Sequence, residues 1–358
     1  MKRKDLLLVG DIDIINISSK RGEVMNYKEE RTDAGASKKA YVEGIDKLIK
    51  NMQTAAEKRR GEYVKDIFTN PEKYRADFRR MLGWPLVDYT PEGLPEVKME
   101  KLSEEDGYTL YRAQIEILDG LCMSGLFFKA DGKKPLVVVQ HGGQGTPELI
   151  SGVYGETSNY NDMLQRVRKH GVHVFAPQLL LWSDVYEVPY NRNAVDVRLK
   201  RLGGSVAALE IFGITRIIDY FETQDYVKNF GMVGLSYGGF YTLFTTALDT
   251  RIKSAISCSF FNKRDEVCWT DWTWPNSANL FDDAEVAALI YPRRLCVEIG
   301  DKDDLFNHKF GEESFRKLCE YCSEVGTDWL ELIVFEGTHE FCKFDEPIER
   351  LISDLHKN

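Results

Sequence analysis

From Pro135 onward the chain repeats one pattern: a short unbroken apolar run, then a longer stretch at helical spacing. Residues 136–140, 172–177, 231–236, 252–260, 294–300 and 331–336 are the apolar runs, rich in Val, Ile and Leu. Continuous apolar runs of this length predict strands buried on both faces. Helical spacing occupies 201–222, 309–322 and 347–355. The alternation predicts an α/β fold, a mostly parallel central sheet with helices on both faces. Ahead of it, residues 97–102, 109–118 and 122–129 have strand character and are separated by Glu-Asp-Gly and Asp-Gly turn signals. They predict antiparallel strands at the start of the sheet.

The first hundred residues follow a different pattern. Tyr41, Ile45, Leu48, Ile49, Met52 and Ala56 recur at helical spacing between charged residues, predicting a helix over 38–63. Pro71 interrupts the pattern, and 74–82 predicts a second, short helix. Residues 6–17 are apolar with Asp and Asn interleaved and fit either a strand or an extended arm. The basic run Lys58 to Arg60 is expected to be a solvated helix face. The Pro-rich stretch 85–95 ends this part, so 1–95 is expected to be a helical N-terminal extension packed on the core, and 96–358 the α/β domain. Two aromatic stretches near 179–198 and 261–289 fit neither period and are expected to be lid-like insertions forming pocket walls.

Composition narrows the field. The 358 residues are 43% hydrophobic and 29% charged, with a formal net charge of −10, which points away from nucleic acid and from anionic membranes. The apolar run after Lys4 is broken by Asp11 and Asp13, a poor signal peptide, and no run is long enough to span a bilayer. The odd set of seven cysteines does not suggest a disulfide framework, and a reduced, cytoplasmic protein is expected. Cys319 and Cys322 fall within a helical pattern and are expected to be small buried residues. No zinc set, P-loop or dinucleotide fingerprint is present; no metal and no cofactor are expected.

The candidate chemistry lies at the ends of the strands. Gly234-Leu-Ser-Tyr-Gly238 joins a strand directly to a helix, a turn that strains Ser236 and exposes its hydroxyl. The new helix turns its free N–H groups toward the same place, favouring an anion there. A serine nucleophile needs a base, and the base an orienting acid. His339, in Gly-Thr-His just past the last strand, is the candidate base, with His308 as its rival. Asp301, Asp303 and Asp304 all follow the strand ending at Gly300, and any one could orient the histidine. An oxyanion site needs two N–H donors. Tyr237 follows the nucleophile, and Gly143 lies in His141-Gly-Gly-Gln-Gly145 after the first parallel strand; His141 itself is read as structural. Trp182, Trp269, Trp272 and Trp274, from the two aromatic insertions, are the candidate substrate-pocket residues.

These residues resemble the α/β-hydrolase superfamily over the stretch from Val97 to the C-terminus. The order serine, acid, histidine is that of the family, and the family's Gly-x-x-Asp pattern, counted from Gly300, selects Asp303 as the acid. The resemblance implies an α/β-hydrolase fold and a Ser236–His339–Asp303 triad. More narrowly, Leu202-Gly-Gly-Ser205 opening a long helix and Leu289-Ile-Tyr-Pro-Arg-Arg-Leu295 before the acid strand resemble the branch of acetyl xylan esterases and dienelactone-hydrolase-like proteins. Tyr291 and Arg294 depart from that branch's usual Ala-Pro-Arg-Pro-Leu. The resemblance implies a serine carboxylic-ester hydrolase acting on a small-molecule ester, such as an acetyl group or another acyl group on a carbohydrate. Homo-oligomers are compatible with it. A prolyl-oligopeptidase-like peptidase and a non-catalytic binding protein of the same fold are the alternatives.

Overall fold

The computed structural model describes residues 26–182, 188, 190–267 and 269–357. The apolar stretch 6–17 lies outside the described residues, as does part of the insertion near 179–198. Nine strands form one sheet: β1 (Val97–Glu105), β2 (Tyr108–Leu118), β3 (Leu121–Ala130), β4 (Lys134–Gln140), β5 (His173–Pro177), β6 (Val227–Leu235), β7 (Ile252–Cys258), β8 (Arg294–Gly300) and β9 (Leu330–Phe335). Their order across the sheet is β1-β2-β3-β5-β4-β6-β7-β8-β9. The first three pair antiparallel with one another, and β3 pairs antiparallel with β5. From β5 through β9 every pairing is parallel.

The helices are α1 (Arg31–Tyr63), α2 (Pro71–Leu82), α3 (Pro147–Ile150), α4 (Met163–Arg168), α5 (Arg192–Lys200), α6 (Val206–Glu222), α7 (Tyr237–Leu248), α8 (Asp283–Ala288), α9 (His308–Tyr321) and α10 (Glu346–His356). The strand period of two divides the core into two layers. Leu136, Val138, Met232 and Ala255 point to one side, where they pack with Ile211, Ile214 and Ile218 of α6, Phe240 and Leu243 of α7 and Leu318 of α9. Val137, Val139, Val233 and Ile256 point to the other, against Leu164 and Val167 of α4 and Leu351 and Leu355 of α10. This is the α/β-hydrolase fold, with antiparallel strands at the start of the sheet and helices α1 and α2 ahead of it. Local signals set the element ends: the Ser205 hydroxyl accepts from Ala208 N–H to start α6, and Asp282 with Glu285 closes a capping box on α8.

The chain divides into two compact units, residues 1–52 and 53–358. In the first, the helical spacing read from the sequence falls within α1, and among the described residues its apolar side chains are exposed, Tyr41 at 73% and Leu48 at 57%. In the second, Val64, Ile67, Tyr74, Phe78 and Leu82 belong to the larger core layer, carrying α2 onto α6 and α7. One expectation is corrected there. Arg60 is not on a solvated face: its guanidinium is buried, lies within 3.4 Å of Asp282 and 3.1 Å of Glu285, and also donates to the Ala278 carbonyl. A charged side chain reads as surface in a sequence, and only partners distant in the chain make its burial tolerable. Lys58 and Arg59 are exposed. Cys322, just past the end of α9, is buried, and Cys319 within α9 is half-buried.

Candidate active site

Ser236 stands between β6 and α7 with φ 59° and ψ −118°, a left-handed conformation that costs a non-glycine residue strain. The surroundings enforce it. Its N–H donates to the Cys258 carbonyl of β7 at 2.9 Å, and its carbonyl accepts the Phe240 N–H. Gly234 and Gly238 make the turn feasible, because a Cβ on Gly234 would lie 2.2 Å from the Gly238 carbonyl oxygen. The hydroxyl-bearing residue thus sits at the carboxyl end of a central parallel strand, 94% buried but opening on a cavity of about 390 Å³.

His339 opens on the same cavity from the loop after β9. Its Nδ1 lies 2.8 Å from Asp303 Oδ2, beyond the end of β8. Asp303 is buried, and its other oxygen, Oδ1, accepts the Leu305 and Phe306 N–H groups at 2.8 and 3.0 Å. Both carboxylate oxygens are therefore used as acceptors, which fixes the proton of the neutral imidazole on Nδ1 and leaves Nε2 with a lone pair. Phe306 stacks on the imidazole, centroids 5.6 Å apart and planes 22° from parallel, and Asn159 donates to the His339 carbonyl at 2.9 Å. Asp301 and Asp304 are exposed; Asp301 accepts the Gly337 N–H, and His308 begins α9.

The loop after β4 forms the facing wall. Gly142, Gly143 and Gln144 line the cavity with Tyr237 and Trp182. Gly142 N–H donates to the Tyr160 phenol, and the Gly143 carbonyl accepts the Trp182 N–H at 3.0 Å. A Cβ on Gly143 would come 2.9 Å from the Trp182 ring, so only glycine permits this approach. His141 is buried with both ring nitrogens engaged: Nδ1 with the Gly142 carbonyl, Nε2 accepting the Leu179 N–H at 3.0 Å. Burial pushes its pKa down to about 4, so it is a neutral strut between the glycine loop and the Leu179 segment.

Of the four tryptophans singled out from the sequence, Trp182 and Trp269 line the cavity. Trp272 and Trp274 do not. They are buried behind it, Trp272 stacked on Trp269 at 4.6 Å, and they border a separate cavity of about 140 Å³. Helical and sheet periods could not have separated the two pairs, because the insertion has neither. Tyr160 and Asn159 were not singled out from the sequence and carried no local signal there; Phe306 did carry one, following the acid by three residues. No Lys, Arg, Asp or Glu lines the cavity among the described residues; its walls are completed by Leu149, Leu235 and Leu305 with Ser158 and Asn159. Among the described residues no set of three or more His, Cys, Asp or Glu could hold a metal, and no helix is long and apolar enough to cross a membrane.

No family model matches this chain, and no curated protein matches it. Solved structures do. A candidate acetyl xylan esterase from Bacteroides fragilis superimposes with a TM-score of 0.61 at 16% identity, over 74% of each chain. A glucuronoyl esterase from Solibacter usitatus superimposes with a TM-score of 0.60 at 13% identity, over 82% of this chain and 94% of the other. Acetyl xylan esterase 1 from a Thermoanaerobacterium species does so with a TM-score of 0.52 at 15% identity, over 80% and 93%. At such identities the likeness establishes a shared fold.

Proposed function

We propose that the protein is a serine ester hydrolase that cleaves a small acyl ester, such as an acetyl group on a carbohydrate, through an acyl-enzyme. The observation that carries this reading is the 2.8 Å pairing of His339 with buried Asp303 on the same cavity as the strained Ser236. His339 Nε2 takes the Ser236 proton as Oγ attacks the ester carbonyl. The imidazolium that forms is stabilised by Asp303, which accepts from Nδ1 throughout. The oxyanion rests on the Tyr237 and Gly143 N–H groups, each worth roughly 3 kcal/mol of barrier. Collapse expels the alcohol with a proton from His339, and a water activated by the same histidine then releases the acid.

The cavity supports a neutral substrate, since no Lys, Arg, Asp or Glu lines its described walls. Trp182 and Trp269 offer flat faces for a sugar ring or an aromatic alcohol. Within the fold we place the chain beside the acetyl-xylan-esterase-like and dienelactone-hydrolase-like proteins; two of its structural neighbours are named acetyl xylan esterases. We also propose that the α/β domain carries the chemistry and that the N-terminal helices are an addition to it. Turnover of p-nitrophenyl acetate by the wild type and by Ser236→Ala tests the reading. A loss of three orders of magnitude or more in the variant is expected, and equal rates would remove Ser236 from the chemistry.

A further inference from the structure

Below the cavity floor, both insertions converge on one buried arginine. Arg192, the first residue of α5, is fully buried, and its guanidinium spends every nitrogen on a different element of the fold. Nε donates to Asp271 Oδ2 at 2.6 Å, Nη1 to Glu210 Oε2 at 2.8 Å and the Leu180 carbonyl at 2.9 Å, and Nη2 to the Tyr241 hydroxyl at 2.6 Å. The Tyr241 hydroxyl donates in turn to Glu210, whose other oxygen accepts the Leu180 N–H. Asp271 Oδ2 also accepts the Tyr237 hydroxyl at 2.8 Å. Leu180 and Arg192 come from one insertion, Asp271 from the other, Glu210 from α6, and Tyr237 and Tyr241 from successive turns of α7.

Tyr237 is the residue next to the nucleophile. Its side chain is wholly buried, held by the Asp271 hydrogen bond, by the edge of Trp182 at 4.7 Å and by Trp272 at 4.4 Å. Its backbone N–H starts α7 and has no partner within the helix. Ser236 is strained, and such a conformation persists only where the surroundings hold it. Two carboxylates and one guanidinium buried together give little net stability against well-packed apolar residues. The cluster does, however, fix a geometry, because one guanidinium is bonded at once to Asp271, Glu210, the Leu180 carbonyl and Tyr241.

We propose that Arg192 and Asp271 are positioning residues for the oxyanion site: by gripping the Tyr237 phenol they hold the first turn of α7, and with it the Tyr237 N–H, in line with the bond being attacked. The proposal rests on the serine hydrolase reading above. It assigns the insertions a role besides walling the pocket: they lock the donor that meets charge developing in the transition state. Removing the grip therefore weakens transition-state binding and leaves ground-state binding of the ester nearly unchanged.

The test uses the full chain, p-nitrophenyl acetate and the variants Tyr237→Phe, Asp271→Ala, their combination, and Arg192→Lys. Tyr237→Phe deletes one oxygen and keeps both the backbone N–H and the ring, so it is the variant that decides should Arg192→Lys fail to fold. Tyr237→Phe and Asp271→Ala, which removes the oxygen that accepts the phenol, are each expected to lower kcat at least tenfold with KM within twofold of the parent. The double variant is expected to fall no further than the worse single one, since both break the same bond. Arg192→Lys, which cannot reach all its acceptors at once, is expected to show the same kcat loss. A kcat for Tyr237→Phe within twofold of the parent, a loss carried by KM alone, or multiplicative losses in the double variant would overturn the proposal. A parent without Ser236-dependent turnover would instead sink the hydrolase reading, and the proposal with it.

Discussion

Replacing Asp303 by asparagine changes one atom, and the hydrogen bonds around the residue dictate the consequence. Oδ1 accepts two backbone N–H groups, from Leu305 and Phe306, at 2.8 and 3.0 Å. An amide NH2 in that position would meet two donors and leave both buried and unpaired, at a cost of about 1–3 kcal/mol each. The asparagine oxygen therefore takes that place, and its NH2 faces His339 Nδ1. Nδ1 must then accept, which moves the imidazole proton to Nε2, the nitrogen needed to receive the Ser236 proton. Fold and cavity persist while the base has the wrong tautomer. The fall in kcat expected for such a change is about 10⁴-fold, near 5.5 kcal/mol of barrier. Stopped-flow or steady-state turnover of p-nitrophenyl acetate at pH 7–8 measures it, with thermal unfolding as the control for structure. Asp301→Asn and Asp304→Asn, at exposed positions, are expected to stay within threefold of the parent. A tenfold or smaller loss in Asp303→Asn, or a larger loss in either neighbour, would refute the tautomer argument.

Three further outcomes follow from the packing. Gly143→Ala places a methyl group 2.9 Å from the Trp182 ring, so the loop must shift; a loss of about 100-fold in kcat/KM with a small change in Tm is expected by kinetics and calorimetry, and unchanged kinetics would discard the Gly143 donor. Arg60→Met strands Asp282 and Glu285 inside the protein, and urea unfolding is expected to report a loss of about 3 kcal/mol, with no loss counting against the buried network. Glu298, fully buried on β8 with neither oxygen in a well-formed hydrogen bond, is pushed by that burial from 4.5 up to about 7. Between those values the folded protein holds a proton that the unfolded chain has released, so this group's contribution to stability falls as pH rises through that window, by about 3 kcal/mol in all. Glu298→Gln should make ΔG of unfolding flatter between pH 5 and 8 than in the parent; identical pH profiles would contradict it.

The strands from β4 onward were legible in the sequence, because strands inside a parallel sheet run as short, nearly unbroken apolar stretches. The antiparallel start was equally plain in its Asp-Gly turns. The serine motif, the strand ends that bear Asp303 and His339, and the glycine loop were legible for a related reason: each lies within a few residues of a strand terminus, and the parallel sheet brings those termini to one rim. Which of three aspartates meets the imidazole was not legible from the residues alone. Asp301, Asp303 and Asp304 have the same chemistry and nearly the same position, and the choice depends on side-chain direction. The structure turns Asp303 inward between two backbone N–H groups and His339, and leaves the others to solvent.

Burial of charge was decided only by tertiary structure. Arg60, Arg192, Asp271 and Glu298 look like surface residues in the sequence, and all four are interior. Arg192 and Arg60 can be buried because carboxylates distant in the chain arrive beside them, a condition that no local window contains. The same holds for the aromatic insertions, where two tryptophans wall the cavity and two lie behind it without any period to tell them apart. The pattern of hydrophobic residues determined the sheet and the rim at which chemistry collects, because strand burial is periodic and local. The fold alone decided which polar side chains face inward there, because desolvating a charge is tolerable only where its partners have been assembled.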